Sequence, residues 1–522
     1  MVNEEFRGYY HRFSWKEISD PIYGYVYFNR EVEEHVINHV LIQRLRYIMQ
    51  LQTAHLVYPG AVHTRFQHSL GVMHLAGLMA EDLLSKIINY YGEEYLEGYS
   101  RASLLQAVRL AGLLHDAGHA CFGHAFEEIV LFSRSDLPEE IANHERIGYV
   151  LVKNMLEDML TRFERNYGLD HLYEILLKIL GSERPRERII TFMRWIVKES
   201  LYPADILDFL RRDSYYTGTH EYGYIDYQRL YKNTYPYIEE DKTLLLLDRN
   251  AWGEFRAYLY AKANMYEHVY LHSVNRAFDK LLKEIIEKLD EEINFVERVK
   301  DILRNKPESY LLLTDAYMYS IMLDKAIRGD GEVGVLTRKL LIERKPEWKR
   351  VGREYILASY KGPVAIHHIL KFIFNRDYRV KVRRALEEKL MDKLKSRGVE
   401  PEDIWVDVVN ISPVPESMLL PGKTGEGVKM LTLFMGKRKG TRIVRDQEVM
   451  LIREGLPLMT IFRTYIRRGL HRLEYEAIVS ETLTQAIEEE LRMSGYDKEY
   501  ERILEEIYSD VSSEEFKRKV TK

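Results

Sequence analysis

The chain has 522 residues, 46% hydrophobic and 30% charged, which is enough for two or three domains around a large core. Lysine and arginine (76) nearly balance aspartate and glutamate (81), so the net charge of −5 excludes a global basic signature for nucleic acid. The single cysteine, Cys121, excludes an internal disulfide framework and predicts a reducing cytoplasm. Because there is neither a bilayer-length apolar run nor a signal-peptide pattern, we expect a soluble protein without a membrane partner.

The first elements along the chain are a β-hairpin and two helices. Residues 1–30 predict a hairpin lead-in, because the turn signal Asp20-Pro21-Ile22-Tyr23-Gly24 precedes the strand-like run Tyr25-Val26-Tyr27-Phe28. Helical spacing of apolar residues predicts helices over 31–50 and 69–90. A further apolar run over 107–114 predicts one buried helix.

The remainder of the chain predicts a mainly α protein with a smaller C-terminal α/β lobe. Glycines at 329, 331 and 334 predict a loop over 327–335. Beyond residue 360, strands are predicted at 404–409 and 430–434, and helices near 380–396 and 473–507. The predicted organisation is a lead-in (1–30), a helical core (31–359) and a C-terminal lobe (360–522).

The pair His115-Asp116 follows the apolar run at 107–114. An imidazole and a carboxylate in such a place are costly to bury unless they are paired, and imidazole and carboxylate ligands together suit first-row divalent metals. A simple hydrogen-bonded pair that caps the helix is the alternative for these two residues alone. If the helix continues, His119 lies one turn after His115 and its ring faces the same side.

Further histidines and carboxylates extend this pair to a four-ligand set. His68, His115, Asp116 and Asp205 together would leave coordination positions open for water and a phosphoryl oxygen. His144-Glu145 lies between the pair and Asp205 along the chain. The sequence therefore predicts one divalent metal ion (Mn, Fe, Ni, Zn or Mg) used for metal-assisted phosphoester hydrolysis.

The segments resemble the HD-domain phosphohydrolase superfamily, whose signature is H…HD…D, and most closely its deoxynucleoside triphosphate triphosphohydrolase branch. That branch includes the sterile-alpha-motif-and-HD-domain enzymes and the bacterial dGTP triphosphohydrolases. The resemblance covers roughly the first 300 residues. The motifs that carry it are Gln43-Arg44-Leu45-Arg46-Tyr47-Ile48-Met49-Gln50-Leu51, Tyr58-Pro59-Gly60-Ala61, Arg65-Phe66-Gln67-His68-Ser69-Leu70-Gly71-Val72, Leu114-His115-Asp116-Ala117-Gly118-His119, Phe122-Gly123-His124, His144-Glu145 and Arg212-Asp213.

The resemblance implies roles for individual residues. His68, His115, Asp116 and Asp205 match metal ligands, and His119 matches a histidine near the scissile phosphate that acts in acid–base catalysis. His144 and Glu145 match a pair that orients it or relays protons to it. Arg65 and His124 match phosphate contacts, and Lys262 is a further cation for the phosphates. Gln50 and Leu51 match residues that lie against the sugar and help exclude a 2′-hydroxyl, and Asp213 and Tyr270 match residues that line the sugar pocket. Phe209, also expected to contact the substrate, keeps the ring of a family tyrosine and lacks its hydroxyl.

Departures from the family pattern leave alternatives open. Ile206 replaces a lysine, Phe209 a tyrosine and Lys262 a frequent arginine, so the triphosphate grip is weaker or rearranged in this chain. Asn38 replaces an aspartate that reads guanine in an allosteric site of the sterile-alpha-motif homologue, which puts activation by a guanine nucleotide in doubt. Two of these assignments have alternatives of equal weight. Arg65 could pair with a carboxylate near the metal, and Gln50 and Leu51 could serve only in ordinary helix packing.

The prediction is hydrolysis of a deoxynucleoside triphosphate to deoxynucleoside and tripolyphosphate. The resemblance also implies a homo-oligomer, either a dimer or a tetramer. One rival is a phosphodiesterase or nucleotidase acting on a monophosphate, a cyclic nucleotide or single-stranded nucleic acid. The other is a non-catalytic protein that binds nucleotide or nucleic acid.

Overall fold

The computed structural model describes residues 7–134, 137–239, 242–329, 331–414, 432–439, 442–451 and 454–493. Helices dominate and the sheets are small, which confirms the predicted fold class. Contacts divide the chain into two units. The first unit comprises Met1–Glu254, Leu282–Arg344 and Gly436–Arg445, and the second comprises Phe255–Leu281, Lys345–Met435 and Asp446–Lys522.

The first unit begins with the predicted hairpin, preceded by a short helix that the sequence did not indicate. The hairpin turns at Asp20, whose carboxylate accepts hydrogen bonds from the backbone N–H groups of Ile22 and Tyr23 (2.8 and 3.1 Å). The elements are α1 (Arg7–Arg12), β1 (Trp15–Asp20) and β2 (Gly24–Asn29), with the two strands antiparallel.

The single helix predicted over 31–50 is wrong. The chain forms α2 (Glu33–Ile37), α3 (Val40–Gln43) and a 3₁₀ turn (Arg44–Tyr47). The break has a local cause, because the His39 imidazole accepts a hydrogen bond from the Leu41 N–H and so caps a new helix. The apolar residues keep helical spacing on both sides of His39, so periodicity alone does not reveal that a new helix begins there.

Two long buried helices form the centre of the first unit. Helix α4 (Arg65–Tyr91) starts at a Thr64–Gln67 capping box and packs along α5 (Arg101–Leu114). Every residue of α5 from 103 to 114 is buried, as its apolar run predicts. Because α5 ends at Leu114, the helical continuation that would have aligned the rings of His115 and His119 does not occur.

Further helices and a strand pair complete most of the first unit. The predicted loop over 327–335 is wrong, because one helix ends at Arg328 and the next begins at Gly331. The elements are α6 (His124–Phe126), α7 (His144–Tyr167), α8 (Leu172–Leu180), α9 (Arg188–Val197), α10 (Ala204–Thr217), α11 (His220–Gly223), α12 (Tyr227–Lys232), β3 (Thr234–Glu239), β4 (Lys242–Asp248), α13 (Trp252–Met265), α14 (Ser273–Ile293), α15 (Phe295–Lys300), α16 (Glu308–Leu311), α17 (Asp315–Arg328) and α18 (Gly331–Leu341), of which α13 and α14 extend into the second unit.

The later elements include a three-stranded antiparallel sheet in the order β5-β9-β6. Strands β3 and β4 belong to a four-stranded sheet in the order β3-β4-β7-β8. Some residues of two predicted elements, the strand at 430–434 and the helix at 473–507, lie outside the described residues. The elements are β5 (Trp348–Ala358), α19 (Pro363–Phe374), α20 (Arg376–Leu394), β6 (Ile404–Ile411), β7 (Thr432–Lys439), β8 (Arg442–Met450), β9 (Met459–Arg467) and α21 (Tyr475–Met493).

Within the described part of the chain, no helix combines the length and the apolar character that crossing a bilayer requires.

Candidate metal centre and active site

Four side chains meet where α4, α5 and α10 come together in the first unit. His68 lies on the first turn of α4, His115 and Asp116 follow the end of α5, and Asp205 lies on the first turn of α10. His68 Nε2 is 3.1 Å from Asp205 Oδ1 and 3.9 Å from Asp116 Oδ2. The structure thus brings together the whole predicted four-ligand set, although these residues are up to 137 positions apart in the chain.

The environment of His115 fits a shared cation. Its Nε2 is buried and has no hydrogen-bond partner, yet it lies 3.4 Å from Asp116 Oδ1 and 3.5 Å from Asp205 Oδ1. Its other ring nitrogen, Nδ1, is 2.9 Å from the Gly112 carbonyl oxygen, which fixes the ring. A buried imidazole nitrogen that faces two carboxylate oxygens suits a site where all three would bind one metal ion. His68, His115 and Asp205 form a group able to hold a metal ion.

A chain of buried ion pairs orients His68. Its Nδ1 is 2.8 Å from Asp208 Oδ2, so Nε2 faces the other candidate ligands. Arg212 donates to both oxygens of Asp208 (2.9 and 3.0 Å) and to Asp20 (2.8 Å). A carboxylate behind a ligating imidazole fixes its tautomer and makes it more basic, so the turn of the N-terminal hairpin supports this site.

The electrostatics of the cluster favour a positive charge at its centre. Burial opposes ionisation of His68, but hydrogen bonds to Asp205 and Asp208 outweigh it and raise the His68 pKa to about 10. Burial likewise disfavours the charged form of Asp116, yet His115 and Arg65 hold its pKa well below the usual value. The carboxylates therefore stay ionised, and a divalent cation would supply the positive charge that protonated imidazole otherwise provides.

A second group of imidazoles adjoins the four-ligand set. The rings of His119 and His144 stack with centroids 3.8 Å apart and planes 15° apart, and His119 Nε2 is 3.4 Å from Asp116 Oδ1. Glu127 stands behind this pair, because its carboxylate is 2.7 Å from His144 Nδ1 and 2.8 Å from His124 Nδ1. Burial and the nearby Arg65 charge hold the pKa of His119 well below its usual value, so its imidazole is neutral at pH 7.

The stacking of these rings depends on a close backbone approach at Gly118. A Cβ at this position would lie 2.0 Å from the His144 carbonyl oxygen and 2.3 Å from the Gly148 nitrogen. Only a residue without a side chain fits here, so the turn after His115 can lie directly against the start of α7.

Arg65 lies between the metal centre and the loop that leads to His124. Its guanidinium donates to Asp116 Oδ2 at 2.6 Å, so the carboxylate pair that was one interpretation of the sequence is present. The backbone of Gly123 has φ +48°, and a Cβ there would lie 2.7 Å from Arg65 Nη2. Glycine at this position therefore allows the loop to pass over the guanidinium.

The other predicted site residues are placed as follows. Asp213 is buried and its carboxylate is 2.8 Å from His63 Nε2, while Glu145 pairs with Lys198 at 2.9 Å, which leaves Glu127 as the carboxylate that contacts His144. Gln50 and Leu51 are half-buried after the Arg44–Tyr47 turn, Phe209 is half-buried on α10, and His124 is mostly exposed. Lys262 and Tyr270 belong to the second unit, on α13 and in the π-helical turn Tyr266–Tyr270.

The sequence reasoning gave no role to Glu127 and Asp208. A signal for each was present, because Glu127 follows His124 by three residues and Asp208 follows Asp205 by three, which on a helix places side chains on neighbouring positions of one face. What no local pattern showed is that they would contact His144 and His68, 17 and 140 residues away.

Comparisons with known proteins agree with this geometry. The model of the HD domain matches residues 65–199. An uncharacterised protein of Bacillus subtilis is 27% identical over 273 residues, which cover 52% of this chain and 55% of that protein. A Dictyostelium discoideum protein named as a homologue of the deoxynucleoside triphosphate triphosphohydrolase SAMHD1 is 27% identical over 325 residues, covering 61% of this chain and 57% of its own length. The chain thus spans little more than half the length of these two relatives.

A solved structure has a fold similar to that of this chain. A hypothetical protein from Aquifex aeolicus superposes with a TM-score of 0.61 at 24% identity, over 90% of this chain and all of that one. The matched segment 65–199 contains His68, His115 and Asp116 at the centre described above. Residues 65–199 therefore match the HD domain, and the chain is similar to a protein named as a SAMHD1 homologue.

Proposed function

We propose that the protein is a metal-dependent phosphohydrolase that converts a deoxynucleoside triphosphate into a deoxynucleoside and tripolyphosphate. The observation that carries this proposal is the convergence of His68, His115, Asp116 and Asp205 beside the stacked pair His119–His144. The name of the Dictyostelium relative supports the choice of a triphosphate substrate.

The four converging residues would hold the metal ion. When bound, a divalent metal polarises a phosphoryl oxygen and lowers the pKa of a coordinated water. Asp208 and the Gly112 carbonyl hold the two imidazoles in place, so their Nε2 atoms face the same point as Asp116 and Asp205. The Arg65 guanidinium donates a hydrogen bond to Asp116, and this bond would fix its positive charge beside the reacting phosphate.

We assign proton transfer to His119, because neutral imidazole is able to accept a proton from the water that attacks the α-phosphorus and then pass it to the leaving sugar oxygen. His144 lies flat against this ring, and Glu127 fixes the orientation of His144. Glu145, which pairs with Lys198, would act on His144 only through charge.

We further propose that Arg65 and His124 contact the phosphates, Gln50 and Leu51 the sugar, and Asp213 and Phe209 the far side of the sugar pocket. Lys262 and Tyr270 match substrate contacts by resemblance alone, and both belong to the second unit. One observation favours a substrate with fewer phosphates, namely that Ile206 offers no positive charge beside Asp205. A phosphodiesterase or nucleotidase is therefore the second candidate.

Turnover with defined metals tests the proposal. Metal-stripped protein is resupplied separately with Mn²⁺, Mg²⁺, Ni²⁺, Co²⁺ or Zn²⁺ and incubated with each dNTP and each NTP. We expect deoxynucleoside and intact tripolyphosphate from at least one dNTP, and no product from Asp116→Ala. Release of pyrophosphate or orthophosphate from a dNTP would contradict triphosphohydrolysis. The same preparations are also given monophosphates, cyclic nucleotides and oligonucleotides, and cleavage of these alone would establish the second candidate. If the protein binds nucleotide tightly but cleaves none with any of the five metal ions, it is a non-catalytic binding protein.

A further inference from the structure

Asp315, the first residue of α17, carries a buried carboxylate with an unusual set of partners. Only 2% of its surface is exposed, and its two oxygens accept hydrogen bonds from backbone N–H groups of two distant segments. Oδ1 accepts from Phe122 at 2.7 Å and Oδ2 accepts from Met49 at 2.9 Å. Burial outweighs these bonds and raises the Asp315 pKa to about 6, so the fold maintains this carboxylate at a cost.

Each of the two segments borders the candidate active site. Met49 forms an isolated β-bridge with Thr64, and the next residue, Gln50, donates from its N–H to the His63 carbonyl at 3.0 Å. Arg65 donates from its own N–H to the Ile48 carbonyl at 3.0 Å. The position of the Met49 segment is therefore tied to the start of α4, three residues before His68.

The Phe122 segment is the loop that joins His119 to His124. Its backbone reverses at Phe122 (φ +57°) and Gly123 (φ +48°), and Gly123 lies against the Arg65 guanidinium. A non-glycine residue at positive φ is held there only when its surroundings enforce it. The hydrogen bond from the Phe122 N–H to Asp315 provides such a constraint.

Neighbouring side chains fix the carbonyl groups of the turn before this loop. Arg44 donates to the carbonyl oxygens of Ala117 (3.3 Å) and His119 (2.7 Å), and the Tyr310 hydroxyl donates to that of Gly118 (2.6 Å). Tyr310 and Asp315 are five residues apart in the chain, so one short stretch anchors both the turn and the loop.

We propose that Asp315 is a positioning residue, which holds the Met49–Gln50 segment and the Phe122–His124 loop at a fixed separation on either side of Arg65. The inference rests on the proposed function, since the two segments carry the residues assigned to sugar and phosphate. Asp315 does not touch the reacting groups. It acts through the backbone on the distance between Gln50 and His124.

The substitution Asp315→Asn tests this. It keeps the size of the side chain but leaves only one oxygen to accept, so one of the two backbone N–H groups loses its partner. Thr337→Val is the matched control. It removes a buried hydroxyl on α18 that donates to the Val333 and Gly334 carbonyls, and it contacts neither segment.

Hydrogen exchange followed by mass spectrometry gives a readout that does not depend on catalysis. We expect Asp315→Asn to speed exchange about tenfold in peptides covering 47–52 and 118–125, with peptides from α7 and α8 unchanged. Thr337→Val should leave both active-site peptides at the wild-type rate. Wild-type exchange in both peptides of the Asp315→Asn protein, or an equal rise throughout the first unit, would overturn the proposal. If that variant does not fold, Asp315→Glu, which shifts the carboxylate by one methylene, is judged by the same criteria.

Kinetics then separate positioning from general stability. We expect Asp315→Asn to lower kcat about tenfold on the best substrate at a temperature where the protein is fully folded, while Thr337→Val keeps the wild-type kcat. Unchanged kcat in Asp315→Asn overturns the positioning role. Absence of any turnover by the wild-type protein would contradict the proposed function instead, and the exchange measurement would still decide whether Asp315 couples the two segments.

Discussion

Asp208 shows how a residue outside the candidate ligand set governs that set. It contacts His68 Nδ1 and itself accepts hydrogen bonds from Nε and Nη2 of Arg212. We expect Asp208→Asn to lower metal affinity and turnover by about 10- to 100-fold, the usual cost of losing a carboxylate behind a ligating imidazole. Metal content after dialysis and initial rates measure the effect. The same change at exposed Asp324, which pairs with Arg328, is the control. Unaltered metal content in Asp208→Asn would contradict this role.

Glu127 and Glu145 are the two carboxylates that could orient His144. Glu127 contacts both His144 and His124, whereas Glu145 pairs with Lys198. We expect Glu127→Gln to lower kcat by about tenfold or more, because His144 loses the charged partner that orients it, and Glu145→Gln to have a smaller effect. Metal content should stay at the wild-type level in both variants. A larger loss of kcat in Glu145→Gln would show that Glu145, and not Glu127, supports catalysis.

At the scale of single helices, a buried histidine on α19 should make the stability of the fold depend on pH. On α19, burial and the neighbouring charges of His367 and Lys371 lower the pKa of His368 to about 4. An unfolded chain binds the proton near pH 6.5, so His368 destabilises the fold progressively as pH falls from about 6.5 to 4, by about 3 kcal/mol in all. We expect His368→Gln to lose less stability than wild type across this window.

Thermal unfolding at pH 7, 5.5 and 4 measures the difference. The matched control is His220→Gln, at an exposed histidine, and it should follow the wild-type curve. Parallel curves for His368→Gln and wild type would show that His368 titrates normally.

Elements differ in how far the sequence could predict them. The buried helix before His115 was predictable because apolar residues fill most of 107–114, and it ends at Leu114. The helix over 31–50 was not, because a side-chain cap at His39 interrupts a hydrophobic pattern that continues on both sides. The four candidate ligands followed from residue type and motif, whereas the contacts of Glu127 and Asp208 depend on how distant helices pack.

At the scale of the whole molecule, metal binding should stabilise the protein. The candidate ligands come from α4, α10 and the residues after α5, so a bound ion ties together the centre of the first unit. A ligand that binds only the folded state at a hundredfold excess over Kd adds about 2.7 kcal/mol of stability. We expect Mn²⁺ added to stripped protein to raise Tm, and Asp205→Asn to lose most of this rise. An equal rise in the variant would place the metal elsewhere.

The close approach at Gly118 has a consequence for the chemistry of the two stacked imidazoles. Because the Gly118 backbone lies against the His144 carbonyl, the rings of His119 and His144 can come into contact only while position 118 carries no side chain. Glycine at position 118 is therefore a condition for the contact between the two rings. Any larger residue would collide with the start of α7 and separate the stacked rings of His119 and His144, although neither histidine itself would have changed.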